Sequence, residues 1–380
     1  MAPNVCIDGS GGDVTHVTEL TSNLTNLNNQ VILIARNKKN KAISLPCDFK
    51  NAGLISQGKF WIPFTMITAF FLGFYILTSK KIDLIYERHH VFGVGIILGK
   101  IFKTPVVVEV NGITAEEISS SYFSNKILLI FIHKMERFLF THADSIVTVS
   151  VNIKNYLSNS YGIAANKICV VSNGVNIDLF KPITDSKKIL NLEDDYYYVL
   201  FVGNLAKWQD VETLIKAAPL VLSKIPQTRF LIVGEGVMKN KLMELVRNTG
   251  VENFFIFTGV VKYEKVPLYI NASDVCIAPF LKSRKCSPLK IYEYMACQKP
   301  FVSSGIEDVM DALKEANAGI FVEPENPHEL SEAIIKILND KVLKFKLSDN
   351  GRSYVLNNQS WRAVSDRILS LCFESTRINH

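Results

Sequence analysis

The densest chemistry in this 380-residue chain lies in Cys286-Ser287-Pro288-Leu289-Lys290-Ile291-Tyr292-Glu293-Tyr294-Met295-Ala296. Ser287 is a good N-cap and Pro288 suits the first helical position. Ile291 and Met295, four apart, give such a helix one buried face. The apolar run Val275 to Ala278 stands just upstream, so the spacing predicts a helix N-terminus at the carboxyl edge of a sheet. Free N–H groups and the helix dipole attract an anion there. Lys290 in the first turn opposes the dipole and is a poor choice for helix stability alone, whereas a diphosphate beside it explains the choice. Glu293, one turn further, can accept hydrogen bonds from two adjacent hydroxyls, such as those of a ribose. An ordinary capped helix with solvated charges shows the same pattern, and residue types alone leave both readings open.

Three weaker constellations accompany it. In Phe201-Val202-Gly203-Asn204-Leu205, with Lys207, Trp208 and Gln209, a strand ends in a glycine that permits close approach of backbone to ligand. Gly234-Glu235-Gly236 has the same form, and both are equally compatible with simple turns. Gly9-Ser10-Gly11-Gly12 precedes a helix that carries His16, and glycine-rich turns of this kind either cradle anions or merely bend the chain. Tyr86-Glu87-Arg88 and Glu109-Val110-Asn111-Gly112 each close an apolar run. Glu87 or Glu109 can orient a hydroxyl or act as a base, or pair structurally with Arg88. No G-x-G-x-x-G opens a helix after a strand and no Walker A loop occurs, which speaks against dehydrogenase and ATPase chemistry.

These residues need a scaffold of alternating strands and helices. Val31 to Ala35, Ile82 to Tyr86, Pro105 to Val110 and Ile146 to Val149 are short, β-branched runs of the kind buried on both faces of a parallel sheet. Only Val5 to Ile7 remain for a strand ahead of them. Val17, Leu20, Leu24 and Leu27 mark one helix face, and Ile127 to Phe140 is a second apolar helix. A second series follows, with strands at Tyr198 to Val202, Arg229 to Val233, Phe254 to Phe257, Val275 to Ala278 and Phe301 to Val302. Helices at Val211 to Ser223 and Lys239 to Thr249 lie between them. Two such series predict an α/β protein of two doubly wound domains. They are expected to join near Lys181-Pro182, and a last helix spans Ser360 to Phe373.

Composition sets further bounds. Hydrophobic residues make up 48% and charged residues 21% of the chain, ample for two buried cores. The net charge of +6 is either a mildly basic surface or an attraction to lipid headgroups or phosphorylated substrates. No basic run is interleaved with aromatics, so nucleic acid is not an expected partner. Seven scattered cysteines, never C-x-x-C, argue against a disulfide framework or structural zinc and fit a reducing compartment. Met1 to Asp8 lacks the basic head and apolar core of a secretion signal. Phe60 to Ser79 carries no charge over twenty residues, enough to span a bilayer. Pro63, Thr65, Thr68, Gly73 and Thr78 dilute it, and a strand-like run follows at once. That favours a buried or membrane-touching helix over a span.

In this order, the motifs resemble glycosyltransferase family 4, the glycosyl transferases group 1, over nearly the whole chain. The resemblance rests on Gly11-Gly12 with His16, Tyr86-Glu87-Arg88, Glu109-Val110-Asn111-Gly112, Asn173-Gly174-Val175-Asn176 with Phe180, Val202-Gly203-Asn204, Gly234-Glu235-Gly236 and Ser287 to Ala296. It implies the GT-B fold: two Rossmann-like domains facing across a cleft. The acceptor-side domain would span 1–181, with a helix at 358–380 packing back on it. The donor domain would span 182–357.

The resemblance also implies a hexosyltransferase-type activity (EC 2.4), retaining and metal-independent, moving sugar from a nucleoside-diphosphate sugar to a glycan or lipid-linked acceptor in polysaccharide or glycolipid synthesis. The nucleotide sugar is a substrate, and neither cofactor nor metal is expected. Donor contacts would come from Gly203, Asn204, Lys207, Gln209, Gly234, Ser287, Pro288, Leu289, Lys290 and Glu293. Gly11, Gly12, Arg88 and Asn111 would form the acceptor and phosphate loop, and Glu293, Lys290, Glu109 and His16 would carry catalysis. Three positions depart from the family. Lys285 stands where the first of two acidic residues is usual, Asn204 and Gln209 replace an Arg and a Lys, and Asn111 replaces a His. An epimerase on the same fold and a non-catalytic nucleotide-sugar-binding subunit remain alternatives. The expected location is cytoplasmic, at the inner face of the cytoplasmic membrane.

Overall fold

The computed structural model describes residues 1–9, 12–38, 45–53, 61–114, 126–282 and 289–377. The chain divides into two compact units: Met1–Asn173 with Trp361–His380, and Gly174–Ser360. The first crossing thus falls ahead of Lys181-Pro182.

The first unit runs β1 (Ala2–Cys6), α1 (Gly12–Asn26), β2 (Ile32–Arg36), β3 (Asp48–Asn51), α2 (Trp61–Ser79), β4 (Ile85–Arg88), α3 (Val94–Phe102), β5 (Val106–Val110), α4 (Lys126–His142), β6 (Ser145–Thr148), α5 (Val151–Tyr161) and β7 (Ile168–Val170), and takes back the C-terminal helix Trp361–Arg377. Its strands form two parallel sheets, β1-β2-β3 and β4-β5-β6-β7. Met1 joins them: its ammonium donates to the carbonyl of Tyr86, and Arg88 N donates to the carbonyl of Met1 at 2.9 Å. The buried run Val106–Val110 is the central strand expected from its composition, since a strand covered on both faces has no polar alternation to keep. Ser150 caps α5 by accepting from Ile153 N, and Gly162 ends it at φ 71°.

The second unit runs β8 (Tyr197–Val202), α6 (Val211–Lys224), β9 (Thr228–Val233), α7 (Lys239–Asn248), β10 (Phe255–Gly259), α8 (Val266–Ala272), β11 (Val275–Ala278), α9 (Leu289–Ala296), β12 (Phe301–Ser304), α10 (Glu307–Leu313), β13 (Gly319–Val322), α11 (Pro327–Asn339) and α12 (Lys341–Tyr354). All strands are parallel in the order β10-β9-β8-β11-β12-β13. The chain therefore leaves β8 in one direction and returns beside it as β11. That reversal is the topological switch point of a doubly wound sheet, where a crevice opens at the carboxyl ends of the strands.

The structure shifts some expected strands and adds others. The first strand is Ala2–Cys6, longer than Val5 to Ile7, because Met1 and Ala2 are held by β4 and β2. The strand expected at Ile82 to Tyr86 runs at Ile85–Arg88, because the buried row continues through Glu87 into the polar end. β3, β7 and β13 carry no strong sequence signal. β3 (Asp-Phe-Lys-Asn) is a polar edge, β7 is three residues long, and β13 opens on Gly319. A Cβ at Gly319 would come 2.4 Å from the Phe301 ring, so only glycine lets β13 pair with β12 at that point.

Candidate functional site

In the second unit the switch point is flanked by the Gly203–Gln209 loop after β8 and by α9 after β11. Leu281 N donates to the carbonyl of Trp208 at 3.2 Å, which ties the two connections together. Ile291 and Met295 are fully buried, as their spacing required. The buried Tyr294 hydroxyl accepts from Val202 N (3.2 Å) and donates to the carbonyl of Ile277 (3.3 Å), so α9 clamps the ends of both β8 and β11. Arg352 Nη1 donates to the last carbonyl of α9, at Ala296 (2.5 Å), and to the carbonyl of Phe180 (3.1 Å).

That frame aims Lys290 and Glu293. The Lys290 ammonium donates to Oε1 of the buried Gln209, lies 4.2 Å from the centroid of the Phe201 ring, and is 2.9 Å from where a Cβ at Gly203 would stand. A side chain at residue 203 would strike it, and φ 150° at Gly203 disfavours one further. Glu293 Oε1 accepts from the Tyr263 hydroxyl at 3.0 Å. Burial pushes the Glu293 carboxyl up to about 7, opposed by that hydrogen bond and by the Lys290 charge. Leu289 opens α9, and Lys207 and Asn204 are exposed on the facing loop. Gly234, at φ 136°, has a structural reason of its own. A Cβ there would fall 1.9 Å from the carbonyl oxygen of Gly203, so the two strand-end loops can touch only through glycine. Ser287 and Pro288 lie outside the described residues.

The first unit assembles a separate polar cluster. His16, on the buried face of α1, pairs through Nε2 with Glu109 and through Nδ1 with Asn173 Oδ1 at 2.6 Å. The ring also meets Trp361 edge-on, with centroids 5.1 Å apart. Burial would raise the Glu109 carboxyl, but the charges of His16 and Arg88 outweigh it and hold the group at about 2. Asn173 thus holds the His16 ring through Nδ1, and Nε2 faces the Glu109 carboxylate. Arg88 Nη1 is buried without a hydrogen-bond partner among the described residues, while its charge and the Asn111 side chain both act on the Glu109 carboxylate. Gly12 begins α1, and Gly11 lies outside the described residues.

Glu87 resolves differently. Its carboxylate accepts from Gly95 N (2.7 Å) and Ile96 N (3.1 Å) and faces His90 Nε2 at 3.0 Å. It therefore caps α3 and is neither a base nor the partner of Arg88. Sequence reasoning missed Tyr263, Tyr294 and Asn173 as site-building groups. It also missed Glu136, buried on α4, which accepts from His89 Nε2 (2.9 Å), Thr114 N (3.0 Å) and the Tyr161 hydroxyl (2.5 Å). Tyr294 is visible only as one more aromatic on a helix, and Glu136 as one more charge on an amphipathic helix.

Two Rossmann-like units, one with a lysine at the helix mouth of its switch point, define the GT-B class. The family model for glycosyl transferases group 1 matches residues 182–354, and that for glycosyltransferase family 4 matches 10–179. The chain belongs to this family and is a glycosyltransferase of glycan synthesis. It is 26% identical to an uncharacterized glycosyltransferase of Methanocaldococcus jannaschii over 371 residues, covering 95% of this chain and 94% of the relative. It is 25% identical to the N,N'-diacetylbacillosaminyl-diphospho-undecaprenol alpha-1,3-N-acetylgalactosaminyltransferase of Campylobacter jejuni, covering 81% of each. The crystal structure of Anabaena HepE in complex with UDP-glucose superposes with a TM-score of 0.73 at 16% identity, covering 97% of this chain and 98% of that one.

Proposed function

We propose that the chain transfers a hexose from a nucleoside-diphosphate sugar to a lipid-linked acceptor, with retention at the anomeric carbon and without a metal ion. One observation carries the reading: Lys290 is held over the carboxyl edge of β8 and β11 by Gln209 and Phe201, in the first turn of α9. An ammonium fixed beside free helix amides stabilises a leaving diphosphate, the work a divalent cation does elsewhere. Retention follows the family. In this reading Gly203 admits the diphosphate to the main chain, and the N–H groups of Ser287 and Leu289 meet it, with Pro288, which has no N–H, between them. Asn204, Lys207 and Gly234 line the donor side, and Glu293 accepts from the ribose hydroxyls. On the other unit Gly11, Gly12, Arg88 and Asn111 receive the acceptor, and His16 with Glu109 organises that surface.

The lipid-linked acceptor is supported by α2. Among the described residues it is the one helix long and apolar enough to cross a membrane. It buries Thr65, Met66, Ala69, Gly73 and Ile76, and exposes Phe64, Ile67, Phe71 and Tyr75. A helix half packed and half exposed in this way suits peripheral contact at the cytoplasmic face of a membrane. A thermal-shift screen across uridine, guanosine and adenosine diphosphate sugars tests the donor half. One base should raise the melting temperature of the wild type but not of Lys290→Met, and no shift with any of them would end the reading.

A further inference from the structure

Asn176 and Phe180 belong to the Asn-Gly-Val-Asn motif but have no part in the contacts described so far. They lead to the Glu293 carboxylate through one ring. Asn176 closes a turn: its Oδ1 accepts from Asp178 N (3.1 Å) and Leu179 N (3.0 Å), and its carbonyl accepts from Phe180 N (2.8 Å). The turn delivers the Phe180 ring to a fully buried position. Tyr263 meets that ring edge-on, with centroids 5.4 Å apart, and its hydroxyl donates to Glu293 Oε1 at 3.0 Å. Tyr263 is itself 36% exposed, so packing alone does not account for a tyrosine here.

Both sides of this contact share their fastenings. Arg352, on α12, donates through Nη1 to the carbonyl of Phe180 and to that of Ala296 at the end of α9. One guanidinium thus holds the backing ring and the helix that carries Glu293. Asn271, on α8, accepts from Ile183 N at Oδ1 (2.9 Å) and donates from Nδ2 to the carbonyl of Lys181 (2.9 Å). That pins the segment after Phe180 to the helix that Tyr263 leads into. Tyr263 opens the short turn Tyr263–Lys265 ahead of α8, and Lys265 N closes it on the carbonyl of Lys262 at 2.8 Å.

A carboxylate offers about four acceptor positions, of which the tyrosine takes one. The rest stay open to a diol, while the side chain is stopped from turning. A carboxylate without such a tie must be ordered by its ligand, and affinity falls accordingly. The same hydrogen bond favours the charged form that ribose hydroxyls need. Tyr263 from the turn before α8 and Lys290 from α9 itself both act on Glu293 in that direction, against burial. Tyr294 and Cys297, beside it in the chain, are pushed up by burial and stay neutral.

We propose that Tyr263, backed by Phe180, is the positioning residue for Glu293 and sets the preference of the site for a ribonucleotide over a 2′-deoxyribonucleotide. This rests on the donor reading above and adds to it the group that aims the ribose carboxylate.

Calorimetry on the full chain, with UDP, GDP, ADP and the 2′-deoxy form of each, decides the matter. At pH 8 the wild type should bind the ribo form of its preferred base roughly tenfold or more above the deoxy form, since a hydrogen bond to a charged group is at stake. Tyr263→Phe should weaken the ribo form several-fold and the deoxy form less, so the ratio falls. Its ribo affinity should also rise at a higher pH than in the wild type, because the carboxyl has lost a bond that favours its charge. Phe180→Leu, which keeps the hydroxyl but loosens its backing, should fall between. A merely structural tyrosine would move both forms together and leave the pH profile in place, and that result overturns the assignment. Unchanged or tighter ribo binding in Tyr263→Phe overturns it too, the latter because the hydroxyl would then compete with the ribose. Glu293→Gln separates the two claims. If it abolishes the preference while Tyr263→Phe keeps it, the assignment of Tyr263 alone is wrong. If the wild type shows no preference, or binds no nucleoside diphosphate, the ribose reading fails and this assignment fails with it.

Discussion

The Lys290 ammonium donates to Oε1 of Gln209 while lying over the ring of Phe201, so one hydrogen bond and one aromatic face fix a cation at the mouth of α9. Gln209 stands where the family usually has a lysine. A second ammonium there would repel Lys290, whereas the amide oxygen directs it. Lys290→Met keeps the stem and deletes the charge. A hydrogen bond to a charged group contributes about 1.5–3 kcal/mol, so donor affinity should fall roughly ten- to a hundredfold by calorimetry. Gln209→Leu should cost less, because the charge remains and only its aim is lost.

In the proposed role of Glu293 at the ribose, donor binding should depend on pH. Burial holds its carboxyl at about 7, above the unfolded value of about 4.3. A group raised on folding favours the neutral form. Its contribution to stability is complete below the unfolded value and is lost as pH rises through 7. Glu293→Gln should therefore raise the melting temperature at pH 8 and leave it unchanged at pH 4. Ribose hydroxyls require the ionised acceptor, so wild-type donor affinity should rise from pH 5 to pH 8, with the profile flat in Glu293→Gln. Identical pH profiles for the two proteins would remove Glu293 from the donor site.

Glu109 works in the opposite sense. Its carboxyl is depressed to about 2, mainly by His16 against the burial that would raise it. Stability from this group is present above the unfolded carboxyl value and is lost as pH falls through 2, so acid unfolding should gain a component between about pH 4 and pH 2. Removing one partner of a buried pair typically costs about 3–5 kcal/mol. Glu109→Ala should lower stability by that order in urea unfolding at pH 7, and the difference should shrink towards pH 2. The paired variant His16→Leu with Glu109→Leu should recover part of the loss, because the imidazole is then not left facing a missing carboxylate.

Strand periodicity located β5, β8, β9 and β11 within a residue or two, because strands buried on both faces must be apolar throughout. The same logic is silent about β3, whose edge position allows Asp48 and Lys50. Lys290 stood out because its charge opposes what a helix start prefers, and Glu293 because a carboxylate one turn further can accept from paired hydroxyls. Glu87 shows the converse. Its sequence position matched a base, but a capping carboxylate has the same neighbours along the chain, and only the Gly95 and Ile96 amides distinguish them.

Helix α2 carries the last prediction. Phe71 and Tyr75 are 65% and 69% exposed and sit four residues apart on one face, with Phe64 and Ile67 a turn or two before them. Lys80 and Lys81 follow directly at the end of the helix. In the proposed peripheral contact the apolar stripe would insert into an anionic bilayer, and Lys80 and Lys81, which face Asp48 and Asp83 in the structure, would turn to the headgroups. Phe71→Asp with Tyr75→Asp should abolish co-sedimentation with vesicles of phosphatidylglycerol and phosphatidylcholine. Lys80→Gln with Lys81→Gln should weaken it mainly at low salt, since headgroup attraction is screened beyond about 10 Å at 0.1 M. Alkaline carbonate should release the wild type from membranes, because Thr65, Met66, Ala69, Gly73 and Ile76 are packed inside the protein and a spanning helix has no such face. Retention in the carbonate pellet would mean that the helix leaves its seat and crosses the bilayer.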